Sequence, residues 1–363
     1  MAEAAEGIVP SRSRRIVTAF SFMLLLTALA LLPVSPPTFA SGPACGDTIT
    51  SSTILSADIG PCAVGLIIGA NGITLDCRGH TITGTGVSAG VSLTGISGAT
   101  IKKCKVTGFD HGFDLLNADF NRLTLNTAFN NGHGFFFISS SHNKLELNRA
   151  VDNAVNGFYL LSHSDGNLFR GNLATGHGGQ GFFIDFSSDN ILRANKATHN
   201  VGGFQLNGGT GATNNILRGN KALTNVNTGF YLGTAKSNHL RGNIATDNGQ
   251  YGYYLSGSAS DNDLISNQGN RNGLHGFLVD SDFFTSFATD NTLGRNRANH
   301  NGIHGFFVNG GKSNLLYLNH ADSNSQFGYF EVSSGTANTY LFDKCAGNLL
   351  GGSSPVGLCS PQP

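Results

Sequence analysis

The sequence predicts an all-β solenoid, in which short strands stack in parallel from one turn to the next. A Gly-aromatic pair recurs every 22 to 26 residues, apart from one unit of 29 residues, and a pattern of Asn residues follows it. A fixed period of this length indicates stacked supersecondary units. The ten pairs begin at Gly112, Gly134, Gly157, Gly181, Gly203, Gly229, Gly252, Gly276, Gly305 and Gly328.

Each unit divides into three short strands separated by bends. Runs with alternating apolar positions, such as Phe158-Tyr159-Leu160, are too short for helices, and they are bounded by Gly and Asn, which tolerate tight bends. Stacked turns pair each strand with its copy about 4.8 Å away, so equivalent residues form columns. The aromatic residue after each Gly, a Leu and an Ala are predicted to point inward. The Asn residues at the bends are predicted to hydrogen-bond to their copies in the neighbouring turns.

These units resemble the right-handed parallel β-helix repeats of the pectin-lyase-like superfamily, over about three quarters of the chain. The resemblance implies a right-handed parallel β-helix of about twelve turns. It does not imply one function, because the superfamily includes lyases, polygalacturonases, epimerases, tailspikes, adhesins and a periplasmic protein of nitrous oxide reductase maturation. Gly132-His133-Gly134 is similar to one polygalacturonase motif, but the accompanying motifs of that family are absent.

The chain is expected to begin with a secretory signal peptide over residues 1–40. Three Arg residues precede an apolar run there, and Thr38-Phe39-Ala40 supplies small residues for cleavage. An uncleaved membrane anchor is the alternative, although the apolar run is short for a span. Residues 41–85 are predicted to form an N-terminal cap and first turn, residues 86–343 the β-helix repeats, and residues 344–363 a C-terminal disulfide cap and tail.

Six cysteines in an exported chain are most simply three disulfides. Their positions favour neighbours in sequence, and none has metal-site spacing. The predicted pairs are Cys45 with Cys62, Cys77 with Cys104, and Cys345 with Cys359. The first and last pairs would hold caps over the open strand edges at the two ends. A secreted or periplasmic location follows from these cysteines and the predicted signal peptide.

The overall charge favours no particular partner, because Lys plus Arg and Asp plus Glu number 22 each. We therefore expect no nucleic acid partner, and no transmembrane segment in the mature chain. The oligomeric state is left open. Because the inward columns are used for packing, any ligand must contact the outward ones.

The first outward column follows each Gly-aromatic pair and is rich in aromatic residues. Flat rings along a groove are what sugar rings stack against. The alternatives are that a loop or a second subunit covers these rings, or that they only stabilise the ladder. Its candidate binding residues are Phe136, Tyr159, Phe183, Tyr231 and Tyr254.

The second outward column carries Arg on four successive turns, with two Lys residues nearby on the same predicted face. Evenly spaced guanidinium groups suit a polyanion such as a uronate or sulfated polysaccharide. Repeat duplication on a solvated face is the alternative. The candidate residues are Arg170, Arg193, Arg218, Arg241, Lys196 and Lys221.

Carboxylates near the 29-residue unit form a third candidate group. Asp261 and Asp290 should stack on adjacent turns, and Asp280 lies in the same unit as Asp290. Paired carboxylates could bind Ca²⁺ as a cofactor or act as acid and base in glycoside hydrolysis. The alternative is that Asp serves as a turn-former.

Histidines occupy the column before Gly in two pairs, His111 with His133 and His275 with His304. A copper or zinc pair is one interpretation, and a turn-edge position without metal is the other.

The leading functional prediction is an exported protein that binds an extended, acidic polysaccharide along an outer face. One alternative is a polysaccharide lyase or glycoside hydrolase of the pectin-lyase-like type. The other is a structural surface protein or a periplasmic metal-delivery factor. The sequence does not decide between binding and catalysis.

Overall fold

A computed structural model describes residues 42–207, 211–281, 286–332 and 337–361. The predicted signal peptide, residues 1–40, and the last two residues of the predicted tail lie outside these ranges. Within them the secondary structure consists of short β-strands. No helix in this part of the chain is long and apolar enough to cross a membrane.

The strands form three parallel sheets, as the repeat predicts, and every strand pairs with its counterpart one turn away. The first sheet comprises Thr48–Ile49, Leu66–Ile68, Ala89–Thr94, His111–Leu116, His133–Ile138, Phe158–Leu161, Gln180–Asp185, Gly202–Asn207, Phe230–Gly233, Tyr253–Ser256, Phe277–Asp280, Phe306–Asn309, Phe327–Val332 and Gly351–Ser354. The second comprises Thr53–Ile54, Thr74–Asp76, Thr100–Lys102, Arg122–Thr124, Lys144–Glu146, Leu168–Arg170, Ile191–Arg193, Ile216–Arg218, His239–Arg241, Asp263–Ile265, Thr292–Gly294, Leu315–Tyr317 and Thr339–Leu341.

The third sheet lies between the second and the next copy of the first. It comprises Ile59–Cys62, Thr81–Gly84, Lys105–Thr107, Thr127–Phe129, Arg149–Val151, Leu173–Thr175, Lys196–Thr198, Lys221–Leu223, Ile244–Thr246 and Gln268–Asn270. Its last part is the separate pair His320–Asp322 and Lys344–Ala346.

The number of turns is slightly higher than predicted. The second sheet has 13 strands among the described residues, which corresponds to about thirteen turns where about twelve were expected. The difference arises at the N-terminus, because the segment predicted as a cap already supplies a strand to each sheet. These strands are Thr48–Ile49, Thr53–Ile54 and Ile59–Cys62.

The inward columns pack as the sequence predicts. The aromatic residues that follow the repeated Gly are buried from Phe113 to Tyr329. Their rings stack in one continuous column, with centroids 4.5 to 4.9 Å apart and interplanar angles of at most 10°. The Leu and Ala columns of the second and third sheets are buried beside it. This packing fixes which side chains of each strand face outward.

Asn residues form a buried ladder at each of the three bends, as predicted. Asn195 is typical: its backbone N–H donates to Oδ1 of Asn220 at 2.9 Å, and its Nδ2 donates to the same oxygen at 3.0 Å. The same Nδ2 also donates to the carbonyl oxygen of Phe169 at 3.0 Å. Each ladder therefore satisfies backbone groups that the bends leave buried.

The three predicted disulfides are all present in the described residues. Cys104 occupies a position in the second Asn column, because its N–H donates to Oδ1 of Asn126 at 3.0 Å. The disulfide bond from Cys104 to Cys77 therefore continues the second Asn column into the N-terminal turns, in which these positions hold Cys instead of Asn. At the other end Asp343 takes the Asn position and accepts from Asn319, and burial raises the pKa of this carboxyl to about 6. Three disulfides are typical of an exported protein.

Candidate functional site

Four arginines form a column on the outer face of the second sheet. The strands that carry them pair in register, so each Arg lies directly beside the Arg of the next turn. The central residue of each strand is buried, which forces the third residue outward. We call Arg170, Arg193, Arg218 and Arg241 the arginine column.

The arginine column lacks neutralising partners. All four side chains are exposed, and in the described part of the chain none forms an ion pair with a carboxylate. Arg122 and Arg271, in contrast, pair with Glu146 and Asp247. Like charges on directly opposed positions of a sheet repel one another. The column is therefore a strip of positive charge that an anion would stabilise.

Lys196 and Lys221 lie on a different face from the one predicted. They pair in register on the outer face of the third sheet, which the buried Asn195 and Asn220 separate from the second sheet. Both lysines are exposed. The predicted single basic face is thus two adjacent faces that meet at an Asn bend.

The outward aromatic residues lie on the outer face of the first sheet, but much of each ring is covered by its neighbours. The rings of Tyr159 and Phe183 stack with centroids 4.8 Å apart and an interplanar angle of 3°, and Phe136 is only 9% exposed. Tyr231 and Tyr254 are half-buried and tilted against each other. Where rings of adjacent turns stack on one another, each ring face is covered by the next ring. A sugar chain that runs along the column cannot then stack on those faces. This arrangement favours ladder stabilisation over an open stacking surface.

A polar depression of about 190 Å³ interrupts this face. It lies at the strand Gly202–Asn207, where Gln205 replaces the outward aromatic residue and Gly202 pairs with Gln180 of the preceding turn. Its remaining lining includes Gln180, Asn227, Thr228, Tyr231, Gln250 and Tyr254. Amide and hydroxyl groups of this kind can hydrogen-bond to sugar hydroxyls.

Two tyrosine-carboxylate pairs lie on the same face. Oη of Tyr254 donates to Asp280 at 3.1 Å, and Oη of Tyr159 donates to Asp185 at 3.4 Å. Burial, followed by the nearby Asp280 charge, raises the pKa of Tyr254 beyond its usual range, so this phenol stays protonated at neutral pH. Burial also raises the pKa of Asp185. Asp185 and Asp280 occupy one column four turns apart, about 19 Å, which is too far for a glycosidase carboxylate pair.

Asp261 and Asp290 lie elsewhere, at the bend between the first and second sheets. Both are exposed and adopt positive φ, 58° and 55°, the left-handed conformation that Asp and Asn tolerate at turns. Asp280 lies within the first sheet instead. The structure therefore does not place Asp280 in the same column as the other two candidates, and the geometry of Asp261 and Asp290 is that of turn-formers.

The two histidine pairs at the strand edge differ, because His111 and His133 meet edge to face whereas His275 and His304 belong to a stacked ring column. His275 and His304 stack with centroids 5.1 Å apart and an interplanar angle of 8°. Nδ1 of His275 accepts the N–H of His304 at 3.2 Å, and Nδ1 of His304 accepts the N–H of Phe327 at 3.3 Å. Burial is the main cause that lowers their pKa values, to about 3 and about 4, so both rings are neutral with the proton on Nε2.

Sequence reasoning missed the depression and the tyrosine-carboxylate pairs. Gln205 was visible only as a break in the aromatic column, and Gly202 as one Gly among many. A second signal was available, because the column before Gly is polar and without rings from Asn156 through Gln180 to Thr228 except at Gly202. Asp185 and Asp280 each lie three residues after an inward aromatic residue, so their shared column was also readable in the repeat.

Comparison with known proteins identifies the architecture. The sequence model of the family described as "Periplasmic copper-binding protein (NosD)" matches residues 46–214, and that described as "Right handed beta helix region" matches residues 162–268. No curated protein matches the chain in sequence. The chain is a parallel β-helix repeat protein, and its solved structural neighbours have the same fold.

Three solved structures illustrate this similarity. A double mutant of the periplasmic alginate epimerase AlgG is 14% identical, with a TM-score of 0.58 over 76% of this chain and 77% of its own. The A-module of the mannuronan C-5 epimerase AlgE4 from Azotobacter vinelandii is 15% identical, with a TM-score of 0.56 over 85% and 87%. The catalytic domain of a GH87 alpha-1,3-glucanase is 13% identical, with a TM-score of 0.55 over 88% and 68%. At these identities the similarity concerns the fold alone.

The residues present do not fit the copper site that the first family description suggests. Among the described residues, no group of three or more His, Cys, Asp or Glu side chains is arranged to hold a metal ion. The Nδ1 atoms of His275 and His304 already accept backbone N–H groups, and their Nε2 atoms carry protons. These two rings are therefore better described as members of a stacked column than as ligands.

Proposed function

We propose that this parallel β-helix repeat protein binds an extended, acidic polysaccharide along its outer face. The observation that carries the proposal is the arginine column, four exposed guanidinium groups in register without carboxylate partners in the described chain. Each guanidinium can donate two parallel hydrogen bonds to a carboxylate or sulfate. A polymer with regularly spaced anionic groups would neutralise the whole column.

The surface beside the column suits a sugar chain. The other outward position is aliphatic on three of the four strands and His239 on the fourth, and Ile191 and Ile216 are 40% and 39% exposed. Such side chains can contact the C–H faces of sugar rings while the arginines hold the charged groups. The structural neighbours are named as alginate epimerases and a glucanase, which adds support for a carbohydrate ligand. We further propose a secreted or periplasmic location, supported by the three disulfides and the predicted signal peptide.

Replacing Arg193 and Arg218 with Gln together should weaken binding to alginate, polygalacturonate or a sulfated glycan on the order of tenfold or more, because two charge-assisted contacts are lost. Binding by the parent should also weaken as salt rises, since exposed charges are screened over about 10 Å at 0.1 M. Titration calorimetry at two salt concentrations measures both effects.

The matched control is the double variant Arg149→Gln with Arg297→Gln, which removes the same charge from exposed positions on the third sheet. It should bind like the parent. Equal affinity of the Arg193/Arg218 variant and the parent for every acidic glycan would show that the column is only a solvated face.

A second candidate function, catalysis on a polysaccharide, is favoured by the polar depression between the two tyrosine-carboxylate pairs. Tyr254 lines this depression and donates to Asp280, so a proton donor held by a carboxylate faces the space where a sugar could bind. Release of unsaturated uronate ends would identify a lyase, and new reducing ends a hydrolase. Either activity should fall strongly in Tyr254→Phe, whereas Tyr317→Phe, at a half-buried position on the outer face of the second sheet and outside the depression, serves as the control. If the parent produces neither type of end, the binding function stands alone.

A further inference from the structure

We infer that the acidic polysaccharide lies along the bend between the second and third sheets, where basic side chains flank it on both sides. The inference rests on the proposed function, and it extends the binding site from the arginine column to Lys196 and Lys221. The ligand that fits such a site carries an anionic group on every sugar unit.

Two rows of basic side chains run side by side on the same two turns. Lys196 follows Arg193 by three residues and Lys221 follows Arg218 by three, so the Cα atoms of each pair lie at most about 11 Å apart. Both rows pair in register, the arginines on the second sheet and the lysines on the third. All four side chains are exposed, and within the described ranges none forms an ion pair. Four unneutralised charges therefore lie within two adjacent turns.

The bend between the two sheets is bare wherever the arginine column runs. One residue that is not buried follows each arginine, and the next residue is a buried Asn of the second ladder. These bend residues are small and have φ of 54° to 64°. We call them the bend strip: Gly171, Ala194, Gly219 and Gly242.

The backbone does not require small residues at this position. Other turns carry Leu125, Leu147 and Leu318 in the same column, at φ of 58°, 57° and 54°, and all three side chains are exposed. The small residues therefore coincide with the arginine column and not with a special conformation. Small residues permit a ligand to approach the backbone closely.

The space above the bend strip is open. A Cβ added at Gly219 or Gly242 would meet no atom within 4 Å. Towards the N-terminus the strip continues into a depression of about 380 Å³, whose lining includes Arg170, Gly171 and Ala194. This volume lies within the range of small-ligand sites, about 300 to 1,000 Å³. Sugar rings can therefore rest on the strip between the two rows.

The two rows select the charge pattern of the ligand. In a ribbon-like polysaccharide, consecutive sugar units face opposite sides, so an anionic group on every unit reaches both the arginines and the lysines. A chain charged on every second unit presents its anionic groups to one side, and the like charges of the other row would remain unneutralised. Arginine can bind these groups through two hydrogen bonds, and lysine binds them as a point charge.

Titration calorimetry with polymannuronate, which carries a carboxylate on every unit, tests the inference. Replacing Lys196 and Lys221 together with Gln should weaken binding about fivefold or more, because two exposed charge pairs are lost. Ala194→Leu should also weaken binding, because the added side chain would stand between the two rows without changing the charge. Hyaluronan, which carries a carboxylate on every second unit, should bind the parent more weakly and should bind the lysine variant as it binds the parent.

Two matched controls should bind polymannuronate like the parent. Arg149→Gln with Arg297→Gln removes the same charge from the lysine column of the third sheet, on turns whose bend carries Leu147 and Arg295. Ser266→Leu adds the same side chain to the bend column, beyond the arginine column and at the same positive φ. Melting curves should show all variants folded, since Leu already occurs in this column.

Unchanged polymannuronate affinity in the lysine variant would overturn the inference and leave the proposed function intact. Equal weakening of both polymers in that variant would overturn it as well, because the lysines would then not read charge on every unit. Absence of parent binding to any acidic polysaccharide would instead remove the proposed function.

Discussion

Replacing Leu217 with Asp is expected to unfold the middle turns of the β-helix. The side chain is fully buried between the Leu residues of the adjacent turns, and a carboxylate there would have no partner. Burying an unpaired charge in an apolar interior costs on the order of 5 kcal/mol or more, comparable to the whole stability of many domains. Circular dichroism during urea or thermal denaturation measures the loss.

The control for this variant is Ile216→Asp, one residue earlier on the same strand. Ile216 is 39% exposed on the outer face, so the new carboxylate remains in water and the loss should be small. If the two variants lost equal stability, the inward and outward positions of the second sheet would be assigned wrongly.

Lowering the pH from 7 to about 4 is expected to destabilise the protein markedly. Burial is the first cause of the lowered pKa of four histidines, about 4 for His133, His177 and His304 and about 3 for His275. The unfolded chain binds these protons near pH 6.5, so stability is complete above that pH and is lost as the pH falls towards 4. Asp343 acts in the opposite sense, because its raised pKa of about 6 favours the folded state as it protonates.

Four imidazoles outweigh one carboxyl, so the net loss should reach a few kcal/mol, with His133 contributing less because it is partly exposed. The urea midpoint at pH 7 and at pH 4.5 measures this loss. A variant with His275→Phe and His304→Phe should lose less stability between the two pH values, because it lacks two of the titrating rings. Phe should fit at these positions, since Phe327 already occupies the next position of that ring column. An unchanged midpoint in the parent would show that these rings accept protons without cost.

The fold was predictable because one rule repeats along the chain. The inward aromatic column and the Asn ladders follow from a period and from strand alternation, so each turn supplies independent evidence for the same assignment. The disulfides were predictable for a related reason, since each partner lies within a turn or so of the other. The extra N-terminal turn was missed because residues 48–62 lack the Gly-aromatic and Asn signals that mark the later units.

The functional surface was less predictable, because it depends on contacts between side chains that the repeat does not specify. The ion pair of Arg122 with Glu146 joins residues 24 apart, and it does not recur at the arginines of the following turns. The coverage of Tyr159 by Phe183 depends on ring orientation, which alternation does not determine. The separation of Lys196 from the arginines depends on where the bend falls. Sequence patterns predict which side chains point outward. The residues that these side chains contact are determined only by the three-dimensional structure.

The in-register pairing of successive turns has a consequence for how such a protein can change during evolution. Strand pairing continues without a shift across the 29-residue unit, where Phe277 still pairs with Phe306. Extra residues at a bend are therefore accommodated locally, without altering the columns on either side. Gain or loss of one complete repeat, in contrast, would lengthen or shorten the arginine column by one step of about 4.8 Å. Duplication and deletion of repeats could thus adjust the length of ligand that is bound, while each remaining turn keeps its own packing.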